Sequence, residues 1–509
     1  MALLQLKTLL LLSILHGVIG GSDATSGEHS CGNTAEGTLE WDGSCSREED
    51  SPWVTQAGNC KRGDFGGDSF VCVCSGSSCD FPGAIHHPTS RGKVTTITSS
   101  RASDRFHVAH GTASTKPAEG SRLVVVNPDF QYQKMLGFGG AFSDAAAINI
   151  LSLSPETQDT LIRSYFSSDG IHYNIGRIPI GGSDFSTRTY SYDDVDGDVD
   201  LKHFALTEED LKYKIPVIKR ARAALGDDEL YLLAAPWSPP AWMKTNGRFN
   251  GSGSVIPDLW KPYANYIIKF LQAYQEQGLN MWGLATQNEP LCGEKEEWAF
   301  NTCVWLAPDM RNWIVDHLGP ALHENGFYSL KVLISDQIRK NLLDYTSQIL
   351  ESREANNYVD GFGVHWYSDS PENVGILTRT ATMFPDKFLL YTEACEGFIS
   401  PPDERVMLGD WTRAETYAHS IIETSNHHSS GWVDWNLALD MEGGPNWSNN
   451  FVDAPIIVDK DEDSFYKQPM FYALGHFSKF VPRDAKVVYN SLMLATKEDD
   501  LTCATYLTD

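Results

Sequence analysis

Four short apolar segments follow one another late in the chain: KVLISD at 331–336, GFGVHW at 361–366, FLLYT at 388–392 and GWVDW at 431–435. Polar loops and stretches with helical spacing of apolar residues lie between them. The same alternation extends upstream, with further strand candidates at 134–139, 173–178, 230–235 and 282–286. Eight strand–helix units over about 300 residues predict an α/β fold, a (β/α)8 TIM barrel with chemistry at the carboxyl ends of its strands.

The segment after residue 260 has the clearest helix signals. Pro262 suits a first helical turn, and Gly278 suits a helix end. A doubly wound open sheet is the alternative to the barrel. Such a sheet normally carries a G-x-G-x-x-G loop after its first strand, and the glycines at 137–140 lack that spacing.

The charge composition excludes one class of partner. The 509 residues include 67 acidic and 40 basic side chains, which gives a formal net charge of −27. Such a surface repels phosphate backbones, so we expect no nucleic-acid partner. An acidic working compartment would relieve the repulsion between carboxylates.

The first 59 residues predict export. Residues 1–20 combine Lys7, an apolar run at 9–14 and small residues near Gly20, which is the pattern of a secretory signal peptide. We expect no transmembrane segment, because no later stretch approaches about 18 consecutive apolar residues. Residues 21–59 are acidic and poor in branched apolar side chains, and they predict a flexible leader.

Ten cysteines accompany this export signal, and a tight group of four suggests a stapled module at 60–90. An oxidising compartment favours disulfides among them over a metal site, and no histidine accompanies the four. Cys31 and Cys45 are a further candidate pair. Sequons at Asn250 and Asn446 are candidate glycan acceptors. The four cysteines of the tight group are Cys60, Cys72, Cys74 and Cys79, and the scattered ones are Cys292, Cys303, Cys395 and Cys503.

Residues on both sides of the barrel predict a satellite β domain. Strand-like segments at 91–133 and 481–509 come from opposite chain ends, and we expect them to pair. Because the sequence stops at Asp509 in or just after a strand, we expect this domain to be truncated. The barrel itself is assigned to 134–480, with an inserted β segment near 437–465.

Two glutamates stand at predicted strand ends. Glu289 follows the fourth strand in TQNEP at 286–290, and Glu393 follows the seventh strand in YTE at 391–393. The carboxyl ends of all strands meet at one mouth of a barrel. A pair of carboxyl groups there can protonate a leaving oxygen and attack an anomeric carbon, which is the chemistry of glycoside hydrolysis.

Other polar and aromatic side chains stand at the same strand ends. Each alone is more often structural, since a lone tryptophan is usually core. Together they suit a sugar, because indole faces stack on pyranose rings and carboxylates hold hydroxyl pairs. No second histidine lies at ligand spacing from His365, so no metal is expected. The residues are Arg177, Asp184, Trp237, Asn288, His365, Tyr367 and Trp435.

Several long segments resemble a known family. The chain is similar to the glucosylceramidases of glycoside hydrolase family 30 along nearly all of residues 60–509. The segments that carry the resemblance include CVCSGSSCD at 72–80, GFGGAFSDAAAINIL at 137–151, YNIGRIPIGGSDFSTRTYSY at 173–192, APWSPPAWMKTNG at 235–247, ATQNEP at 285–290, VHWY at 364–367, TEAC at 392–395 and GWVDWNLALDMEGGPNW at 431–447.

The resemblance implies roles for individual residues. Glu289 would be the general acid/base and Glu393 the nucleophile of a retaining mechanism. Tyr367 would border the nucleophile, while Trp298 and Phe300 would lie near a lipid entrance. Arg177 and His365 would support the site. The residues implied to contact the glucosyl group are Asp184, Trp237, Asn288, Trp435 and Asn450, and the candidate disulfides are Cys60–Cys72 and Cys74–Cys79.

The resemblance also implies a substrate, partners and a location. It implies hydrolysis of glucosylceramide at a membrane surface in the lysosome lumen, with a saposin-like activator protein and anionic lipid as helpers and no cofactor. The alternatives are a family-30 enzyme acting on another β-glycoside and, from a different class, a non-catalytic glycan-binding protein.

Overall fold

The structure is a computed structural model that describes residues 8–14, 60–84, 90–114, 123–493 and 501–508. The predictions for the leader at 21–59, including Cys31 and Cys45, lie outside the described residues. Among the described residues, no helix combines the length and the hydrophobicity needed to cross a bilayer.

Eight parallel strands close into a barrel, which confirms the predicted fold and excludes the open sheet. The last strand pairs back to the first through Gly431 and Gly137. Most positions in these strands are buried, as expected for parallel strands covered by helices. We number the barrel strands β1 to β8 in chain order: Gly137–Ala141, Ile175–Ile180, Tyr231–Pro236, Gly283–Ala285, Lys331–Ile338, Gly361–His365, Phe388–Glu393 and Ser429–Asn436.

Helices surround the barrel. The segment with the clearest helix signals forms the helix Trp260–Glu276, and Gly278 follows it with a φ of +77°. Side-chain caps begin others, as where Ser154 accepts from the Thr157 amide. The remaining α-helices are Asp144–Leu151, Pro155–Phe166, Ile215–Leu225, Ala307–Trp313, Gly319–Glu324, Leu342–Leu350, Arg353–Tyr358, Gly375–Met383, Trp411–Asn426 and Pro469–Ser478, with π-helical turns at Glu209–Lys214 and Ile314–Leu318.

The predicted disulfides Cys60–Cys72 and Cys74–Cys79 are both present. Their module shares a five-stranded sheet with the β segment inserted after β8. The buried ammonium of Lys467 donates to the Asp80 carbonyl at 2.5 Å and so ties the two parts together. The strands of this sheet are, in spatial order, Leu439–Asp440, Ile456–Asp459, Ser464–Lys467, Val71–Cys74 and Arg62–Gly63.

A satellite sheet joins opposite ends of the chain. Leu123–Lys134 pairs antiparallel with Lys486–Met493, and that strand pairs with Thr502–Thr508. Thr8–Ile14, inside the segment predicted as a signal peptide, pairs with Thr502–Thr508 on its other side. Residues 93–112 differ from the prediction, because they pair with themselves in a separate two-stranded sheet of Lys93–Thr98 and His107–Thr112.

Candidate active site

The two predicted glutamates meet at the carboxyl end of the barrel. Glu393 is the last residue of β7, and Glu289 lies four residues beyond the end of β4. One carboxylate oxygen of each lies within 4.8 Å of the other and of a ring nitrogen of His365. Both glutamates are largely buried, with 8% and 6% of their surface exposed. The structure therefore brings together the two groups that the sequence places 104 positions apart.

Glu289 sits on a constrained turn. Its φ of +47° lies in the left-handed region, which non-glycine residues adopt at a cost. The surrounding backbone holds it there: the Glu289 amide donates to the Asp336 carbonyl at 2.9 Å, and the Asn288 amide donates to the Pro236 carbonyl at 2.9 Å. Hydrogen bonds to the ends of β3 and β5 thus fix the direction of this side chain.

Arg177 on β2 lies fully buried beneath the glutamates. Its guanidinium donates to Glu393 Oε2 through one nitrogen. Through the other it donates to Asn288 Oδ1 and Asp336 Oδ2, both at 2.7 Å. The planar fork of an arginine therefore orients three side chains at once.

Asp336 is a functional residue that the sequence analysis missed. It accepts hydrogen bonds from Arg177 and from Thr392, the latter at 2.6 Å. Although burial opposes ionisation, Arg177 and His365 hold the pKa of Asp336 well below its usual range. A Cβ at Gly363 would approach its Oδ1 to 2.6 Å, so this strand position requires glycine. Asp336 ends the predicted fifth strand, and the strand-end rule that found Glu393 would also have found it.

His365 is held as a cation. Burial alone would lower its pKa, but the carboxylates of Glu393 and Asp336 raise the pKa of His365 to about 10. The imidazolium donates from Nδ1 to Glu289 Oε1 at 3.1 Å and from Nε2 to Asp336 Oδ1 at 3.3 Å. A metal would need neutral imidazole, so this environment favours a proton donor over a metal ligand.

The site brings together more carboxyl groups than cations. Two cations, Arg177 and His365, face the carboxyl groups of Glu289, Asp336 and Glu393. Arg177 pairs directly with Asp336 and Glu393. Glu289 instead pairs with His365, at 3.1 Å.

Tyr367 is a further hydrogen-bond partner of Glu393. Its hydroxyl donates to Glu393 Oε1 at 2.8 Å and lies 3.4 Å from Cys395 Sγ. Because Arg177 engages the other carboxylate oxygen, both oxygens of Glu393 are hydrogen-bonded. These two hydrogen bonds fix the orientation of the Glu393 side chain.

Two predicted tryptophans form one wall of the site. Trp237 and Trp435 stack with ring centroids 5.1 Å apart and planes 16° from parallel. The Arg177 guanidinium lies 4.8 Å from the Trp237 ring centroid and 5.6 Å from that of Trp435. Both rings are buried against the Arg177 guanidinium, which also binds Glu393.

Asp184 lies in a neighbouring polar group with the predicted Asn450. Asp184 Oδ2 accepts from Asn450 Nδ2 at 3.0 Å and from Asn446 Nδ2 at 3.4 Å. Burial raises the pKa of Asp184 to about 7 despite these hydrogen bonds. In an acidic compartment this carboxyl group is neutral and can donate to a sugar hydroxyl as well as accept from one.

The two sequons differ in their surroundings. Asn446 is buried, with its amide nitrogen committed to Asp184 and to the Asn450 carbonyl. A glycan on that nitrogen would have to replace these hydrogen bonds, and glycosylation of Asn446 stays a prediction. Asn250 donates to the Ala299 carbonyl at 3.2 Å in a surface loop, and its glycosylation stays a prediction.

Comparison with known proteins agrees with this geometry. The model for the "glycosyl hydrolase family 30 TIM-barrel domain" matches residues 135–481. The chain is 43% identical over 456 residues to mouse lysosomal acid glucosylceramidase, covering 88% of this chain and 87% of the relative. It is 43% identical over 430 residues to putative glucosylceramidase 3 of Caenorhabditis elegans, covering 83% and 82%.

A solved structure is similar as well. SrfJ from Salmonella typhimurium superposes with a TM-score of 0.70 at 30% sequence identity, over 76% of this chain and 84% of that one. Three observations point to the same family. They are a family model that spans most of the chain, relatives matched along most of their length, and two facing glutamates at the barrel mouth. The chain belongs to glycosyl hydrolase family 30.

Proposed function

We propose that this protein is a retaining β-glucosidase that hydrolyses glucosylceramide to glucose and ceramide. The observation that carries the proposal is the approach of the Glu289 and Glu393 carboxylates to within 4.8 Å. Retaining glycosidases hold their two carboxyl groups about 5–5.5 Å apart, whereas inverting ones leave about 6.5–9.5 Å for a water molecule. The short separation supports direct attack by one of the two.

The surroundings of each glutamate support its role. Arg177 and Tyr367 orient Glu393, and in the proposed mechanism it attacks the anomeric carbon and forms a glycosyl-enzyme. Glu289 gives its proton to the leaving oxygen in that step. It then takes a proton from the water that hydrolyses the glycosyl-enzyme, which restores both groups.

Asp184 and the two stacked tryptophans are suited to hold the glucosyl ring. A carboxyl group with a pKa near 7 can bind a hydroxyl pair without placing a second negative charge beside Glu393. Asn288, oriented by Arg177, is placed beside Glu289 to hydrogen-bond the sugar. Asn450 supports the same subsite through its hydrogen bond to Asp184.

The similarity to the mouse enzyme, at 43% identity, supports the lipid substrate and the lysosomal location. With them we propose peripheral action at a membrane surface, assisted by a saposin-like activator protein and anionic lipid, after export through the signal peptide. Metal ions and cofactors have no part in the proposed mechanism.

The test is to incubate the full-length protein with glucosylceramide in mixed micelles near pH 5 and follow glucose and ceramide by chromatography. Glu393→Gln is the matched control, and we expect its turnover to fall by on the order of a thousand-fold or more, because no nucleophile remains. Release of glucose from another β-glucoside without release from the lipid would contradict the lipid substrate. A fully active Glu393→Gln variant would contradict the mechanism.

A further inference from the structure

The loop that follows β2 contains an acidic run that the proposed mechanism does not use. Residues 190–200 read YSYDDVDGDVD, with aspartates at 193, 194, 196, 198 and 200 and a glycine at 197. Closely spaced aspartates around a glycine are typical of loops that bind Ca²⁺, although this run lacks the full EF-hand spacing. Because an acidic run is also typical of a solvated surface, the environment of each side chain has to decide between the two.

Asp193 is the aspartate of this run that the fold buries. Only 1% of its surface is exposed, whereas Asp194, Asp196 and Asp200 are all exposed. Asp193 Oδ1 accepts from the Val195 amide at 3.4 Å, but Oδ2 is buried and has no hydrogen-bond partner among the described residues. A buried carboxylate oxygen without a partner costs free energy, so this oxygen points to a cation or a proton that completes it.

A second carboxyl group faces Asp193. The side chains of Asp193 and Asp198 interact both as charges and at hydrogen-bonding distance. The Asp198 side chain is only 8% exposed, and its Oδ2 contacts the backbone amide and the ring Nδ1 of His203, both at 2.8 Å. Since His203 contacts Asp198 and leaves Asp193 Oδ2 without a donor, the two acceptors face each other unneutralised.

Backbone hydrogen bonds hold the loop in a compact turn. The Asp198 amide donates to the Val195 carbonyl at 3.2 Å, and the Leu201 amide donates to the Asp198 carbonyl at 2.9 Å. Trp242, in the loop after β3, donates from its indole nitrogen to the Asp193 carbonyl at 2.9 Å. The two carboxyl groups are therefore held close together by contacts that do not involve their own oxygens.

Oxygen ligands of this kind suit a hard cation. Ca²⁺ takes about six to eight oxygen ligands from carboxylates, backbone carbonyls and water, and it tolerates irregular geometry that Mg²⁺ does not. Zinc and other transition metals prefer nitrogen and sulfur ligands. Because only two carboxylates meet here, carbonyls and water have to supply the remaining ligands, and we expect a Kd of about 10⁻⁴–10⁻³ M, as in extracellular Ca²⁺ modules.

We propose that Asp193 and Asp198 bind a Ca²⁺ ion in the loop after β2. The buried Oδ2 of Asp193 is the central ligand, because no other group satisfies it. The exposed aspartates of the run add negative charge that attracts the cation without binding it. The competing explanation is a proton shared by the two carboxyl groups, which would satisfy the same oxygen without a metal. This inference does not depend on the proposed glucosidase function.

The experiment measures metal binding by the full-length protein after treatment with EDTA. Equilibrium dialysis at pH 6 gives the Ca²⁺ affinity. Tb³⁺, which occupies Ca²⁺ sites, emits when a neighbouring indole transfers energy to it, and Trp242 is in contact with Asp193. Asp193→Asn and Asp198→Asn each remove one ligand. Asp200→Asn removes the same charge from an exposed aspartate that pairs with Lys202 at 2.7 Å, and it is the matched control.

We expect one Ca²⁺ per chain with a Kd below about 1 mM, weakened at least about tenfold by Asp193→Asn and by Asp198→Asn, and less than about threefold by Asp200→Asn. Ca²⁺ should displace the Tb³⁺ emission, and Trp242→Phe should abolish it.

Absence of Ca²⁺ binding up to 5 mM would overturn the proposal in favour of the shared proton, where 5 mM is about five times the weakest Kd expected. Equal weakening by all three asparagine variants would mean a diffuse attraction to the acidic surface and would also overturn it. Displaceable emission that survives in Trp242→Phe would place the metal elsewhere, which is equally contrary to the proposal.

Discussion

The carboxylates of Glu289 and Glu393 face each other across the barrel mouth with oxygens within 4.8 Å. They arrive there from opposite sides of the barrel, on a strained turn after β4 and at the end of β7. Arg177 and His365 compensate the charge that such an approach concentrates. The pair is stable at this distance because buried cations accompany it.

Replacing the buried guanidinium should disable the nucleophile. In Arg177→Lys a single ammonium cannot serve Glu393, Asp336 and Asn288 together, so we expect kcat to fall on the order of a hundredfold. Steady-state kinetics on an activated aryl β-glucoside checks this, with thermal unfolding measured in parallel to confirm that the variant is folded. A folded variant with kcat within threefold of the parent would contradict the role given to Arg177.

The loss of activity on removing the Glu289 carboxyl group should depend on the leaving group of the substrate. Glu289→Ala should lower turnover of glucosylceramide by on the order of a thousand-fold and turnover of dinitrophenyl β-glucoside far less, because the latter needs no proton. Added azide should restore part of the rate and yield β-glucosyl azide, which NMR identifies. Full activity of the variant on the lipid would show that another group is the acid.

The charge on His365 should respond to Asp336. Because the Asp336 carboxylate helps to raise the pKa of His365 to about 10, Asp336→Asn should lower that pKa. The imidazolium then loses its proton at a lower pH, which an NMR pH titration of the His365 ring nitrogens measures directly. Thr392→Val removes a hydrogen bond to Asp336 and keeps its charge, so in that variant the pKa of His365 should stay in place. An unmoved pKa of His365 in Asp336→Asn would contradict this coupling.

Stability should fall as the pH rises from acid toward neutral. Burial raises the pKa of Glu396 to about 7, although Arg413 opposes this shift. A carboxyl with a higher pKa folded than unfolded binds more protons in the folded state, so the free energy of unfolding decreases as pH rises from about 4.5 to 7. Glu396→Gln should remove roughly 1–3 kcal/mol of that decrease between pH 5 and 8.

Urea unfolding at the two pH values measures the effect. Glu404→Gln, at an exposed glutamate, is the control and should leave the decrease unchanged. If Glu396→Gln lost as much stability as the parent protein between pH 5 and 8, the titration of Glu396 would not be the source of the decrease in the free energy of unfolding.

Apolar runs and strand ends made most of the barrel predictable. Strands buried on both faces read as short apolar segments, so all eight were located from the sequence, with ends that differ by a few residues, as in 134–139 against the observed Gly137–Ala141. The strand-end rule then located Glu289, Glu393, Arg177 and His365 at one mouth. Parallel strands place their carboxyl ends at the same side of the barrel. The grouping of these side chains could therefore be predicted without knowing the distances between them.

Contacts between distant segments could not be predicted in the same way. Alternating strands such as Lys93–Thr98 carry no mark of their partner, and this one pairs locally with His107–Thr112. The burial of Asn446 could not be predicted either, because it depends on a hydrogen bond to Asp184, which lies 262 positions away in the sequence. Asp336 was missed for a different reason. The end of the fifth strand was predicted at this residue, but its side chain was not considered as part of the site.

The anomeric form of the first glucose released tests the central claim most directly. Early product from a β-glucoside is followed by proton NMR before mutarotation equilibrates it. Two carboxylates within 4.8 Å, with Glu393 as nucleophile, predict β-glucose as the initial product. Initial α-glucose would mean a single displacement by water and would contradict the roles assigned to Glu289 and Glu393.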